Sequence, residues 1–158
     1  MWNSRHRRSN ITIIKAGSSQ PAAGSFRRNE RIYYMAVRNF KDLIVWQKSM
    51  DLAAAVYKLI RELPREELYT LSDQMRRAVI SIPSNIAEGQ QRTSDKEFKH
   101  FLSVAKGSLG EIETQLLLCV RLEYLTSEQI KQPLELCTET GKMLNGLINN
   151  IQLNSGSH

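Results

Sequence analysis

Glu97-Phe98-Lys99-His100 carries the Glu-x-x-His spacing with which paired helices hold two metal ions. Such a centre needs two of these motifs and two further inward glutamates. His100 is the only histidine between residues 41 and 157, so a second motif cannot be assembled. Phe98 and Leu102 lie on the apolar seam, which turns His100 to the outer face. No metal site and no cofactor is expected. Cys119 and Cys137 stand on the seams of successive helices with an axial offset of roughly 8–9 Å at the helical rise. That is too long for a disulfide, so both read as buried free thiols. No nucleophile–base pair and no Gly-rich phosphate loop is present, which points away from an enzyme.

Six cations, Arg76, Arg77, Arg92, Lys96, Lys99 and Lys106, fall near the outer faces of the second and third helices. One reading is a solvated face neutralised by Asp73, Glu88 and Asp95. The other is a phosphate-contacting patch, repeated around an oligomer so that modest contacts multiply through avidity. Aromatic residues suited to base stacking are not interleaved with these charges, which points away from sequence-specific reading of single strands.

The block Ser81-Ile82-Pro83-Ser84-Asn85-Ile86-Ala87-Glu88-Gly89 puts a proline inside an amphipathic helix, at a cost of roughly 3 kcal/mol. A bend is expected there, with the carbonyl of Val79 released. Pro83, Ser84, Asn85 and Glu88 are the candidate bend and interface residues. Either Ser84 or Asn85 satisfies the backbone freed by the bend, or these side chains bond across a subunit boundary and fix its register.

These residues need helices to position them. Apolar steps of three and four residues define four segments. The first seam reads Leu43, Trp46, Met50, Ala53, Tyr57, Ile60 and closes at Leu63-Pro64. The second reads Leu71, Met75, Ala78, Val79, Ile82, Ile86, with Gly89 as its C-terminal cap. The third opens on the capping box Ser94-Asp95-Lys96-Glu97 and runs Phe98, Leu102, Ala105, Leu109, Ile112, Leu116, Cys119. The fourth opens on Thr126-Ser127-Glu128-Gln129 and runs Ile130, Leu134, Cys137, Gly141, Leu144, Ile148, Ile151. No alternating strand pattern intervenes. Short connections make neighbours antiparallel, so the fold class is all-α, an up-down-up-down four-helix bundle. Gly107 and Gly110 predict close approach of another backbone to the third helix. Off-seam Phe101, Leu117, Val120, Leu122, Met143 and Leu147 widen the apolar stripe toward a subunit interface.

The net charge of +6 divides unevenly. Residues 1–40 hold eight Lys/Arg against Glu30, whereas residues 41–158 carry a net −1. The basic character is therefore the leader's, and the high pI says little about nucleic-acid binding by the folded part. Residues 1–38 read as a basic disordered leader, 39–152 as the bundle and 153–158 as a disordered tail. Met35 precedes the helical pattern and could be the native start. Arg/Ser enrichment also fits an organelle transit peptide, while Ile11-Thr12-Ile13-Ile14 is too short for the apolar core of a secretory signal. No run approaches the roughly 20 apolar residues of a membrane span. With two cysteines and no disulfide framework, a cytoplasmic protein is expected.

Phe40-Lys41-Asp42-Leu43-Ile44-Val45-Trp46-Gln47-Lys48, then Ile82-Pro83-Ser84-Asn85-Ile86-Ala87-Glu88-Gly89, then Gly107-Ser108-Leu109 with Glu111, Thr114 and Gln115, occur in this order. From about Asn39 to Ile151 the chain resembles the bacterial four-helix-bundle family of rRNA intervening-sequence proteins. That family includes the accessory variability determinant proteins of diversity-generating retroelements. The resemblance implies a ring-like homopentamer and, for the retroelement members, binding to a reverse transcriptase and its template RNA. It implies no catalytic residues. The retroelement members present a strongly basic surface, which residues 41–158 lack. The expected function is a non-enzymatic oligomeric module that accompanies RNA or an RNA-carrying protein; the alternative is a protein-only scaffold.

Overall fold

The computed structural model describes residues 39–155, with side chains described to Ile151. The leader, Met35 and residues 156–158 lie outside the described residues. A 3-10 turn, Phe40–Asp42, is capped by Asn39, whose Oδ1 accepts from the Lys41 N–H at 3.0 Å. Four helices follow: α1 (Ile44–Ile60), α2 (Leu71–Gln90), α3 (Asp95–Arg121) and α4 (Ser127–Ser155). A second 3-10 turn, Arg65–Glu67, joins α1 to α2. No strand occurs among the described residues, and no described helix is long and apolar enough to cross a membrane.

Local chemistry sets the helix ends. Thr126 and Gln129 form a reciprocal capping box: Thr126 Oγ1 accepts from the Gln129 N–H at 3.3 Å, and Gln129 Oε1 accepts from the Thr126 N–H at 2.7 Å. At α3 only half of the box forms. Ser94 Oγ accepts from the Glu97 N–H at 3.2 Å, but its hydroxyl then donates to the Glu97 carboxylate at 2.8 Å. α3 ends in a Schellman motif, with the Tyr124 N–H donating to the Cys119 carbonyl and the Glu123 N–H to that of Val120. Its left-handed residue is Glu123, at φ 59°, where glycine is usual.

Each helix packs on its chain neighbours, and α4 returns against α1. This is the expected antiparallel bundle of square section. Leu52, Met75, Ile82, Ile86, Leu102, Ile112, Leu116 and Leu144 are completely buried at its centre. Each such side chain contributes about 1.5–3 kcal/mol through removal from water. Cys119 and Cys137 are free and buried, as expected. Burial raises the Cys119 thiol and pushes that of Cys137 up to about 12.

Several expectations need correction. α1 buries Val45, Ser49, Leu52, Val56, Leu59 and Ile60; of the predicted seam Leu43 and Ile60 are buried as expected, but Trp46, Ala53 and Tyr57 are half-buried and Met50 is exposed. The helix carries two apolar stripes side by side, and periodicity alone does not say which faces the core. Gly89 is not a terminal cap. The helix passes through it to Gln90, and a Cβ there would lie 2.7 Å from Phe101 Cβ and 3.0 Å from Phe98 Cδ2. The close approach belongs to Gly89, not to Gly107 and Gly110, where an added Cβ meets no atom of a described residue within 4 Å. Of the off-seam residues, Leu147 is buried and Phe101, Val120 and Met143 are half-buried, which leaves only Leu117 and Leu122 exposed. Pro133 stands inside α4, buried, where it removes the N–H that would reach the Gln129 carbonyl.

Candidate nucleic-acid interface

α2 and α3 position the candidate cations, and their register follows from three contacts: Ser81–Ser108, Gly89–Phe101 and Met75–Cys119. Arg77 Nη2 lies 2.7 Å from Asp73 Oδ2, one turn away on α2. Arg92 pairs with Glu88, and its guanidinium sits 5.1 Å from the centre of the Phe101 ring. Such a stacked cation is worth about 0.5–1 kcal/mol at an exposed site. Arg76, Lys96, Lys99 and Lys106 make no ion pair with any described residue.

The six do not converge on one patch. At 100° per residue, Arg76 turns toward the α1 flank of α2, whereas Lys99 and Lys106 lie on the α4 flank of α3. Along the axis, Arg77 and Lys99 are about 20 Å apart by the helical rise. Arg92 stands in the α2–α3 turn, and Lys96 and Lys99 follow on the first turns of α3. A recess of about 110 Å³ opens there, lined by Gly89, Arg92, Ser94 and Phe98. Lys106 continues the α3 members two turns further on.

The proline block is placed as follows. Pro83 is buried within a continuous α2, Ser84 and Glu88 are exposed, and Asn85 is half-buried. Asn85 Nδ2 donates to the Ser81 carbonyl at 2.7 Å and to Ser81 Oγ at 2.9 Å. Asn85 thus supports backbone near the proline, at Ser81 and not at Val79. Ser108 on α3 donates to Ser81 Oγ at 2.9 Å, which ties the two helices. His100 is exposed, edge-on to Phe101. Among the described residues no group of three His, Cys, Asp or Glu could hold a metal ion.

A second polar cluster, at the opposite end, escaped the sequence. Glu67 accepts from the Tyr124 hydroxyl at 3.0 Å, from Thr70 Oγ1, and from the Leu71 N–H at 3.3 Å. It caps α2 from the preceding turn and ties that turn to the α3–α4 connection. Hydrogen bonds from Thr70 and Tyr124 hold its carboxyl below the usual range, and the same bond raises the Tyr124 phenol. Gln129 donates to Glu62 across the same end. A Glu preceding a helix by four residues was the signal available for Glu67; the Tyr124 contact had none.

Residues 41–146 match the family described as 23S rRNA-intervening sequence protein. Among solved structures, the chain is similar to a protein of unknown function from the S23 ribosomal protein family of Bacteroides thetaiotaomicron. The two share 33% identity and a TM-score of 0.62 over 66% of this chain and 98% of that one. No curated protein matches.

Proposed function

The chain belongs to the 23S rRNA-intervening sequence protein family, and from that premise we propose that it is a non-catalytic, self-associating module that accompanies RNA in the cytoplasm. The RNA contact is made by the phosphate backbone against Lys96, Lys99 and Lys106 of α3, with Arg92 beside them. The observation that carries this reading is that these three lysines have no acidic partner among the described residues, while Arg77, Arg92 and Lys48 do. Cations along one helix that pair with no described acid meet phosphates without losing an ion pair first. Several copies in a ring, five by the family resemblance, multiply the contact. A reverse transcriptase or another RNA-carrying protein is the partner class in the retroelement version of this role.

A protein-only scaffold is the second reading, favoured by the net −1 charge of residues 41–158. Binding of the full chain to duplex and single-stranded RNA over a salt series separates the two. The RNA reading expects affinity falling steeply with salt, and a Lys96→Ala, Lys99→Ala, Lys106→Ala chain with a shallower slope. A full chain with no affinity at low salt, or a triple variant with an unchanged slope, refutes it. The second outcome would take the contact away from α3, and loss of binding on removal of residues 1–34 would then place it in the leader.

A further inference from the structure

The middle of the stripe that sequence reading assigned to the core of α1 reaches the surface while packing against the core on its inner side. Trp46, Ala53 and Tyr57 are half-buried and Met50 is 44% exposed. Lys48, which meets Glu139 on α4 at 2.8 Å, marks the α4 flank of α1, so this stripe lies on the opposite flank, beside α2. On α2, Ser81 and Gly89 mark the α3 flank, and Ile80, 47% exposed, lies on the opposite flank with Arg76, Pro83 and Ala87. The two stripes border one apolar groove along the outside of α1 and α2, with unpaired Arg76 within it.

A second unpartnered surface runs down α3. Val104, Gly107, Glu111 and Leu118 follow steps of 3-4-7 on one face, with Leu122, 44% exposed, beyond them. This ridge is narrow at Gly107, where the protomer leaves open space beyond the backbone. Its one acid, Glu111, makes no ion pair with a described residue.

We infer that the groove of one copy receives the α3 ridge of another, with Arg76 of the first copy facing Glu111 of the second. This rests on the self-associating part of the proposed function and names the surfaces that perform it. The register of α2 on α3 puts Glu111 level with residues 78–79 of α2, so copies related by rotation about an axis along the bundle bring it within about one turn, ~5 Å, of Arg76. The same register sets Gly107 level with Pro83 and Ser84, where the missing side chain admits the neighbour's helix. Groove and ridge open from adjacent sides of a square section, roughly a right angle apart. Head-to-tail contacts at that angle close into a small ring, about four copies for a true right angle and five for an opening roughly 20° wider.

The test is the mass of the full chain and of three variants by light scattering across a dilution series, with circular dichroism as the control for folding. Arg76→Glu and Glu111→Arg should each weaken assembly at least tenfold. Mixed one to one they should reassemble, because alternating copies set grooves against ridges of opposite charge, at every contact of a ring of four and at all but one of a ring of five. Gly107→Trp, at a site open within the protomer, should leave a folded chain that does not assemble. A wild-type assembly that none of the three disturbs overturns this interface and leaves self-association standing. A wild-type monomer at every concentration overturns both.

Discussion

The three helical glycines of α2 and α3 permit a controlled experiment, because one substitution meets opposite surroundings. Gly89→Ala would place a Cβ 2.7 Å from Phe101 Cβ and 3.0 Å from Phe98 Cδ2. Phe101 Cβ is anchored to its own backbone and cannot swing away, so α2 and α3 must separate by up to about 1 Å to restore a carbon contact near 3.5–4 Å. Overpacking of this kind costs about 2–3 kcal/mol. The gain in helix propensity returns about 1 kcal/mol, leaving a net loss of about 1–2 kcal/mol. Gly110→Ala meets no atom of a described residue within 4 Å. It keeps the propensity gain and should stabilise by about 0.5–1 kcal/mol. Urea denaturation with an unchanged slope reads both differences. In a chain of this size they correspond to shifts in Tm of about 2–4 °C per kcal/mol. A neutral or stabilising Gly89→Ala would refute the claim that this glycine exists for helix contact. A destabilising Gly110→Ala in dilute monomer would refute the claim that its face is open.

Four further outcomes are expected. Thr140 is fully buried and its Oγ1 has no hydrogen-bond partner among the described residues, so Thr140→Val should raise stability by about 1 kcal/mol in the same denaturation assay. Glu123→Gly should add about 0.5–1 kcal/mol by relieving the left-handed backbone at the end of α3. Glu67 has a lowered carboxyl, so its contribution is present above the ordinary glutamate range and is lost as pH falls through the folded-state value. Glu67→Gln should therefore flatten the acid limb of a stability–pH curve, and an unchanged limb would show that the Thr70 and Tyr124 bonds do not act on it. The Cys137 thiol, raised by burial to about 12, should resist alkylation at pH 8 in native protein and react freely in denaturant. Its stabilising contribution is full below the unfolded thiol range and declines as pH rises above it.

The bundle was legible because its signals repeat. The seams of α2 and α3 and the α4 capping box are where three-and-four spacing and Thr126–Gln129 put them, whereas α4 buries Ile130, Cys137, Leu144 and Ile151 as read but Pro133, Thr140 and Leu147 in place of Leu134, Gly141 and Ile148. The seam of α1 was not, because Val45-Leu52-Val56-Leu59 and Trp46-Met50-Ala53-Tyr57 share one period and differ only in phase. Phase is set by what the neighbouring helices present, which no single segment encodes. The role of Gly89 was hidden for a similar reason: cap and close contact call for the same residue, and only the position of Phe101 distinguishes them. Pro133 and the Glu67–Tyr124 bond depend on contacts between elements distant in sequence. Of the candidate cations, charge and helix were readable, but flank and pairing were not. Arg77 and Arg92 are engaged within α2 and just beyond its end, and the rest divide between opposite flanks of α2 and α3.

The proposed assembly packs the α3 ridge of one copy into the groove of the next. Sedimentation equilibrium of the full chain at tens of micromolar tests that most directly. The expected species is a single closed assembly of about four to five copies of the 18.1 kDa chain, with no larger polymers. An 18.1 kDa species at every concentration, or an open-ended series of masses, would contradict it.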